Sequence, residues 1–140
     1  MTIKESVTYN KEMDYVEGME DFGWTQGRTK YVANHVMVFM ARGLTVPWKQ
    51  AVAYYLSSGP MKSEMMKALL CQTIDELLSI GLDVRVVIGD QGTNNRRCFE
   101  TLLGVTEAEP YFLHGDSENK KKIIVMYDPP HLLKNVRNNL

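Results

Sequence analysis

Two aspartates, Asp90 and Asp128, stand at equivalent points in this chain, each just past a short apolar run. Asp90 follows Val84, Val86, Val87, Ile88 and Gly89, and it leads into Gln91-Gly92-Thr93-Asn94-Asn95. Asp128 follows Ile123-Ile124-Val125-Met126-Tyr127 and leads into Pro129-Pro130-His131. Length and β-branching predict that Val84–Ile88 is a strand buried on both faces, and Ile123–Tyr127 reads as another fully apolar strand. Each acid then sits where a strand ends, the usual place for ligands and reacting groups in α/β sheets. A strand-helix-strand crossover between the two runs demands parallel pairing, so both acids share one rim of the sheet. Neighbouring strands lie about 5 Å apart, close enough for two carboxylates to approach one ion or substrate. Hard oxygen donors of this kind suit Mg²⁺ or Mn²⁺. The same residues also make ordinary turns, because Asp in a Gly-rich turn and Asp before Pro-Pro both start turns. His131 either fixes the strand-to-helix turn by a hydrogen bond or orients the acid site.

Other chemistries find no match. Gly89 to Asn95, GDQGTNN, is neither a Walker loop nor a dinucleotide GxGxxG. No Cys/His spacing fits a zinc site, and no serine sits in a GxSxG elbow. Asp14, Glu17, Glu20 and Asp21 lack the spacing of a calcium loop and read as a solvated acidic loop. Cys71 and Cys98 fall on apolar helix faces, as small core residues of a reducing compartment do.

The elements that must position the acids follow from periodicity. A short strand is expected at 14–17. Residues 34–43, NHVMVFMARG, are apolar on both faces, which places that strand inside a sheet. His35 at its entrance reads as a hydrogen-bonded structural histidine. Residues 48–57, WKQAVAYYLS, form the next strand, and the short connection predicts an antiparallel hairpin. A helix over 63–80 presents Met66, Leu69, Leu70, Thr73, Ile74, Leu77 and Leu78 on one stripe. Ser63 is its expected N-cap and Gly81 its stop. Helices are also predicted over 94–103 and 132–139, with a polar loop over 106–119. The order is hairpin, helix, strand, helix, strand, helix: one α/β domain over residues 1–140.

Size and composition agree with one globular core. The chain has 140 residues, 44% apolar and 24% charged, with no run long enough to span a bilayer. The start MTIKESVTYNKE lacks the apolar segment of a secretory signal, which is consistent with an intracellular protein. A formal net charge of -1 argues against a large basic field for gripping nucleic acid. Basic residues do collect late, at Lys120, Lys121, Lys122, Lys134 and Arg137, as a phosphate-facing patch or a solvated face.

Asp90-Gln91-Gly92-Thr93-Asn94-Asn95-Arg96, preceded by VRVVIG, and the later YDPPHLLKNVRNN resemble the RNase H-like domain of P-element-type transposases. The THAP-domain transposases and their domesticated relatives belong to this group. The likeness continues through Glu17-Gly18, ANHVMVFMARGL and WKQAVAYYLSSG, and so covers essentially the whole chain. It implies an RNase H-like mixed sheet: an antiparallel hairpin plus parallel strands, with helices packed on the sheet. It also implies metal-dependent DNA cleavage and strand transfer by an Asp-Asp-Glu triad holding two divalent ions, Mg²⁺ or Mn²⁺. Asp90 matches the second aspartate of that triad. Asp128, His131, Asn94 and Asn95 are supporting candidates, and Lys134 and Arg137 are candidates for touching DNA.

The resemblance also implies what this stretch lacks. The family's first acid lies in a motif that should just be ending at Met1, so the first strand is expected to be largely missing. The third acid, and an inserted domain that binds GTP, lie downstream of Leu140 in the family. The expectation is therefore a partial catalytic domain, inactive alone and nuclear by family. Its partners would be transposon-end DNA and either a protein or a second copy. A domesticated, non-catalytic module that binds DNA or protein is the alternative. A small nucleotide- or metal-binding protein unrelated to transposition is a third reading.

Overall fold

The structure is a computed structural model that describes residues 1–139, with the side chains of all of these except 25, 135, 138 and 139. The chain divides into two compact units, Met1–Met61 and Lys62–Leu140.

In the first unit, β1 (Thr8–Asn10) pairs antiparallel with β2 (Tyr15–Glu17). The turn between them is set by Asn10, whose Oδ1 accepts the Glu12 and Met13 N–H groups at 3.1 Å each, an Asx turn. Four further strands form an antiparallel sheet in the order β4-β3-β6-β5. They are β3 (Met19–Asp21), β4 (Arg28–Val32), β5 (His35–Arg42) and β6 (Lys49–Ser57), with one turn of helix, α1 (Gly23–Gln26), between β3 and β4. The β5–β6 hairpin is the one predicted, with Val38 opposite Tyr54 and a bulge between Phe39 and Met40. Gly43 is required at its turn, because a Cβ there would lie 2.2 Å from the Val46 oxygen.

One face of this hairpin is packed, with Phe39 and Tyr55 meeting edge-to-face at 6.0 Å between ring centroids. The other face carries Val38, Met40 and Tyr54, and all three are exposed. Sequence had placed apolar residues on both faces inside a sheet. Alternation reports which faces are apolar, not whether anything covers them. Before β5, the chain start runs antiparallel to its first residues. The Met1 oxygen accepts the Val36 N–H at 2.9 Å, and the Ile3 N–H donates to the Asn34 oxygen at 2.9 Å. Thr2 and His35 form an isolated antiparallel bridge in this stub. His35 is hydrogen-bonded as expected, its Nδ1 lying 2.7 Å from Asn34 Oδ1.

The second unit is built on α2 (Ser63–Ser79). Met66, Leu69, Leu70, Thr73 and Ile74 are its buried stripe, as the 3.6-residue period predicts. Ser63 does not cap this helix. Lys62 is the N-cap residue, without a side-chain hydrogen bond. The Ser63 hydroxyl instead donates to the Asn94 oxygen at 3.0 Å, a partner that lies far along the chain. The C-terminal end is a Schellman motif. Gly81 has φ +85°, its N–H donates to Leu78, and the Leu82 N–H donates to Leu77.

β7 (Val86–Gly89) then pairs parallel with β9 (Lys121–Tyr127), as the crossover rule requires. Between them, α3 (Thr93–Arg96) widens into a π-helical segment over Arg97–Leu102, which packs Cys98 and Phe99 into the core. The stretch expected as loop contains β8 (Tyr111–His114), antiparallel to β9, giving the order β7-β9-β8. Phe112, Ile123 and Val125 are buried, whereas Leu113, Ile124, Met126 and Ile88 are exposed. The last helix, α4 (Pro129–Asn139), starts at the Pro-Pro pair, three residues earlier than expected, because Pro is well suited to a first helical turn. No described helix is long and apolar enough to cross a membrane.

Among the described residues, β5 beyond its start and β7 each have a strand on one side only. Unpaired strand edges with apolar faces favour association with another strand. Thermal unfolding of the chain is therefore expected to depend on protein concentration, and sedimentation should detect species larger than a monomer. A sharp, concentration-independent transition of a monomer would contradict this.

Candidate functional site at the strand ends

The rim formed by the ends of β7 and β9 is built from a few residues. Gly89 is opposite Tyr127, and the Asp128 N–H continues the ladder by donating to the Gly89 oxygen at 2.9 Å. Asp90 and Asp128 thus follow paired positions on one rim, as the sequence predicts. Glycine is needed at 89 because Phe99 fills the space a side chain would take. A Cβ there would lie 2.9 Å and 3.1 Å from two Phe99 ring atoms.

Asp90 is exposed and held by its neighbours. Its Oδ1 accepts the Gly92 N–H at 2.8 Å and the Asn95 amide at 2.7 Å. The same Asn95 amide reaches the Asp90 backbone oxygen at 3.3 Å. Gly92 is the N-cap residue of α3, and a Cβ there would come within 2.8 Å of Asp90 Oδ1. The turn therefore fixes one carboxylate oxygen. Among the described residues, the other oxygen has no hydrogen-bond partner. The turn-forming role expected of Asp90 is thus real, and it leaves one oxygen available. Asn95 is a direct partner of Asp90. Asn94 offers its backbone oxygen to Ser63.

His131 lies one helical turn past Asp128, its Nε2 3.6 Å from Asp128 Oδ2, which makes an ion contact when the ring is protonated. The Asp128 backbone oxygen accepts the Leu132 N–H at 3.1 Å, so Asp128 also opens α4. In kind, two carboxylates on one rim match a hard divalent cation. In number they fall short, since no group of three or more His, Cys, Asp or Glu side chains that could hold a metal occurs among the described residues.

Beside the rim lies a cluster the sequence reading missed. The Tyr127 hydroxyl donates to Glu100 Oε1 at 2.8 Å, and Arg96 Nε reaches the same oxygen at 3.2 Å. Burial, then the hydrogen bond to Glu100, pushes the Tyr127 phenol up to about 12. Hydrogen bonds from Arg96 and then Tyr127 hold Glu100 below the usual carboxylate range. The Arg96–Glu100 spacing of four residues on a helix was the available signal. Tyr127 could be found only from the fold.

The late basic residues do not act alike. Lys121 pairs with Asp83 at 3.1 Å, and the Lys122 ammonium lies 3.8 Å from the centre of the Tyr111 ring. Lys134 and Arg137 lie one turn apart on α4, and both are exposed. The early acids are structural staples. Asp21 holds the Gly23 N–H and Arg28, Glu20 holds Thr29 and the Ser58 N–H, Glu17 holds Asn10, and Tyr9 donates to Asp14.

The family model of the TNP-like, RNase H N-terminal domain matches residues 1–103, which include β7, Asp90 and Asn95. The chain belongs to this family. It is 32% identical over 107 residues to the transposable element P transposase of Drosophila melanogaster. That alignment takes in 76% of this chain and 13% of the relative. The solved Drosophila P element transposase strand transfer complex matches with a TM-score of 0.74 at 27% identity, covering 99% of this chain and 27% of that one. The chain therefore corresponds to a limited stretch of a transposase. Its mixed α/β fold is the RNase H-like fold that the resemblance implied.

Two outcomes test the rim. Gly89→Ala should lower stability by about 1–3 kcal/mol through overpacking against Phe99, read by denaturant unfolding. The pH test follows from Tyr127, whose pKa is 10.0 in the unfolded chain and about 12 when folded. Folding favours its protonated form, so its contribution is complete below pH 10 and is lost as pH rises through about 12. Wild type should therefore lose stability relative to Tyr127→Phe across that window, and an unchanged difference would remove the assignment.

Proposed function

We propose that this chain is part of the catalytic, RNase H-like domain of a P-element-like DNA transposase, residues 1–140 forming a single partial domain that is inactive alone. The observation that carries this is Asp90, in a chain of this family, at the end of a parallel-paired strand. Its turn commits one carboxylate oxygen to Gly92 and Asn95 and leaves the other available. In the metal-dependent strand cleavage and transfer the resemblance implies, Asp90 would be the second acid, binding Mg²⁺ or Mn²⁺ together with acids from a longer protein. Asn95 would hold its carboxylate in one orientation. Asp128 and His131 would support the same rim. The DNA partner would be the transposon end, met in the nucleus, with Lys134 and Arg137 touching phosphates.

A second reading is a domesticated module that binds DNA or protein without cutting. The exposed apolar sheet faces favour it. Supercoiled plasmid incubated with the 140-residue chain and Mn²⁺ is expected to stay intact. A longer protein that supplies the upstream aspartate and downstream glutamate should nick it, and Asp90→Ala should abolish the nicking. Plasmid cleavage by the 140-residue chain alone would refute the inactive assignment. A gel shift with DNA that weakens on Lys134→Ala and Arg137→Ala, at the low salt where phosphate contacts are strong, would support DNA contact. An unchanged shift would move the contact elsewhere.

A further inference from the structure

Trp24 is the most exposed large apolar side chain of the described residues, its indole wholly in solvent. An indole is costly to leave in water, and most tryptophans bury much of their surface. The loop that carries it is well ordered by hydrogen bonds. Gly23 and Gly27 bracket α1, both at φ +76°, and the Gly27 N–H donates to the Gly23 oxygen at 2.8 Å. The Phe22 N–H closes the loop onto the Gly27 oxygen at 3.0 Å. Asp21 anchors the base of the loop by accepting the Gly23 N–H at 2.9 Å and the Arg28 guanidinium at 2.9 Å and 3.1 Å. The fold thus spends several hydrogen bonds on a turn whose largest side chain touches nothing in the core.

The surroundings of the indole favour one kind of occupant. A tryptophan that anchors a protein interface sits at the centre of an apolar patch, ringed by contacts that exclude water. Within one helical turn Trp24 is flanked by Phe22, two glycines and Gln26, and with the indole wholly in solvent none of these described neighbours covers it. A flat π-face standing clear of the surface instead suits a nucleobase, and stacking on it is tolerant of base identity. The strand that follows supplies cations. β4 is an edge strand, and Arg28 and Lys30 share one of its faces by the period of two. Asp21 engages Arg28, and Lys30 is exposed.

We propose that Trp24 stacks on an unpaired base of single-stranded DNA, with Lys30 beside it at the phosphate backbone. This rests on the reading that the chain meets DNA. It deepens that reading by naming a contact outside the Asp90 rim and outside α4.

The test uses the 140-residue chain and a short single-stranded oligothymidylate labelled with fluorescein. The chain has 2 tryptophans, Trp24 and Trp48, so Trp48→Phe leaves Trp24 as the sole reporter. The oligonucleotide should quench the Trp48→Phe emission and leave that of Trp24→Ala nearly unchanged. By fluorescein anisotropy, Trp24→Ala should weaken binding roughly tenfold, and Trp24→Phe, which can still stack, should weaken it less. Lys30→Ala should flatten the salt dependence by about 0.7 in log-log slope. Anisotropy alone decides the matter where Trp48→Phe does not fold. Unchanged affinity in Trp24→Ala would overturn this proposal and leave DNA contact elsewhere standing. Absence of oligonucleotide binding by the wild type would remove both. Emission from Trp24 that responds only to protein concentration would place the indole against a second copy and would also overturn it.

Discussion

The parallel ladder between β7 and β9 runs past the strands themselves, through the Asp128 N–H that donates to the Gly89 oxygen at 2.9 Å. That hydrogen bond joins two turns that are far apart in the chain and makes them neighbours on one rim. The bond requires β7 to reach its end without a side chain at 89, because Phe99 of the following helix lies beneath. Phe99 in turn meets Tyr127, the last residue of β9, at 6.1 Å between rings. The same few residues therefore pack the core and set the position of both acids. A change at Gly89 or Phe99 would be felt at Asp90 although neither carries any chemistry.

Asp90 shows how a structural and a chemical role coexist in one side chain. A carboxylate that accepts a turn N–H and an amide is held in one rotamer, which costs entropy before any ligand arrives. An acid orienting itself only on binding would meet that cost later, as weaker affinity. Asn95, one helical turn on, makes the restraint possible because helix α3 begins at once, with Arg96 N–H donating to the Gly92 oxygen at 2.9 Å. In the first unit, Asp21 and Glu20 have both carboxylate oxygens engaged, by the Gly23 N–H and Arg28 and by Thr29 and the Ser58 N–H.

Each unit leaves one face of a sheet uncovered. In the first, Val38, Met40 and Tyr54 are exposed; in the second, Ile88, Leu113, Ile124 and Met126 are. Apolar surface of this kind is stabilised only when something removes it from water.

Sequence alone determined what depends on local pattern. The stripe of α2, its stop at Gly81, the β5–β6 hairpin and the parallel pairing of β7 with β9 all follow from period, turn chemistry and crossover length. So did the placing of Asp90 and Asp128 on one rim, and the family itself through DQGTNN and DPPHLL. Tertiary structure decided what depends on partners distant in the chain. Tyr111–His114 is a strand only because β9 lies beside it; four residues between Pro110 and Gly115 carry too short a pattern to declare themselves. Ser63 looked like a cap, but its hydroxyl serves the Asn94 oxygen. Tyr127 joined Arg96 and Glu100, and Trp24 was left in water. A periodicity records which side of an element is apolar, and only the fold says what that side meets.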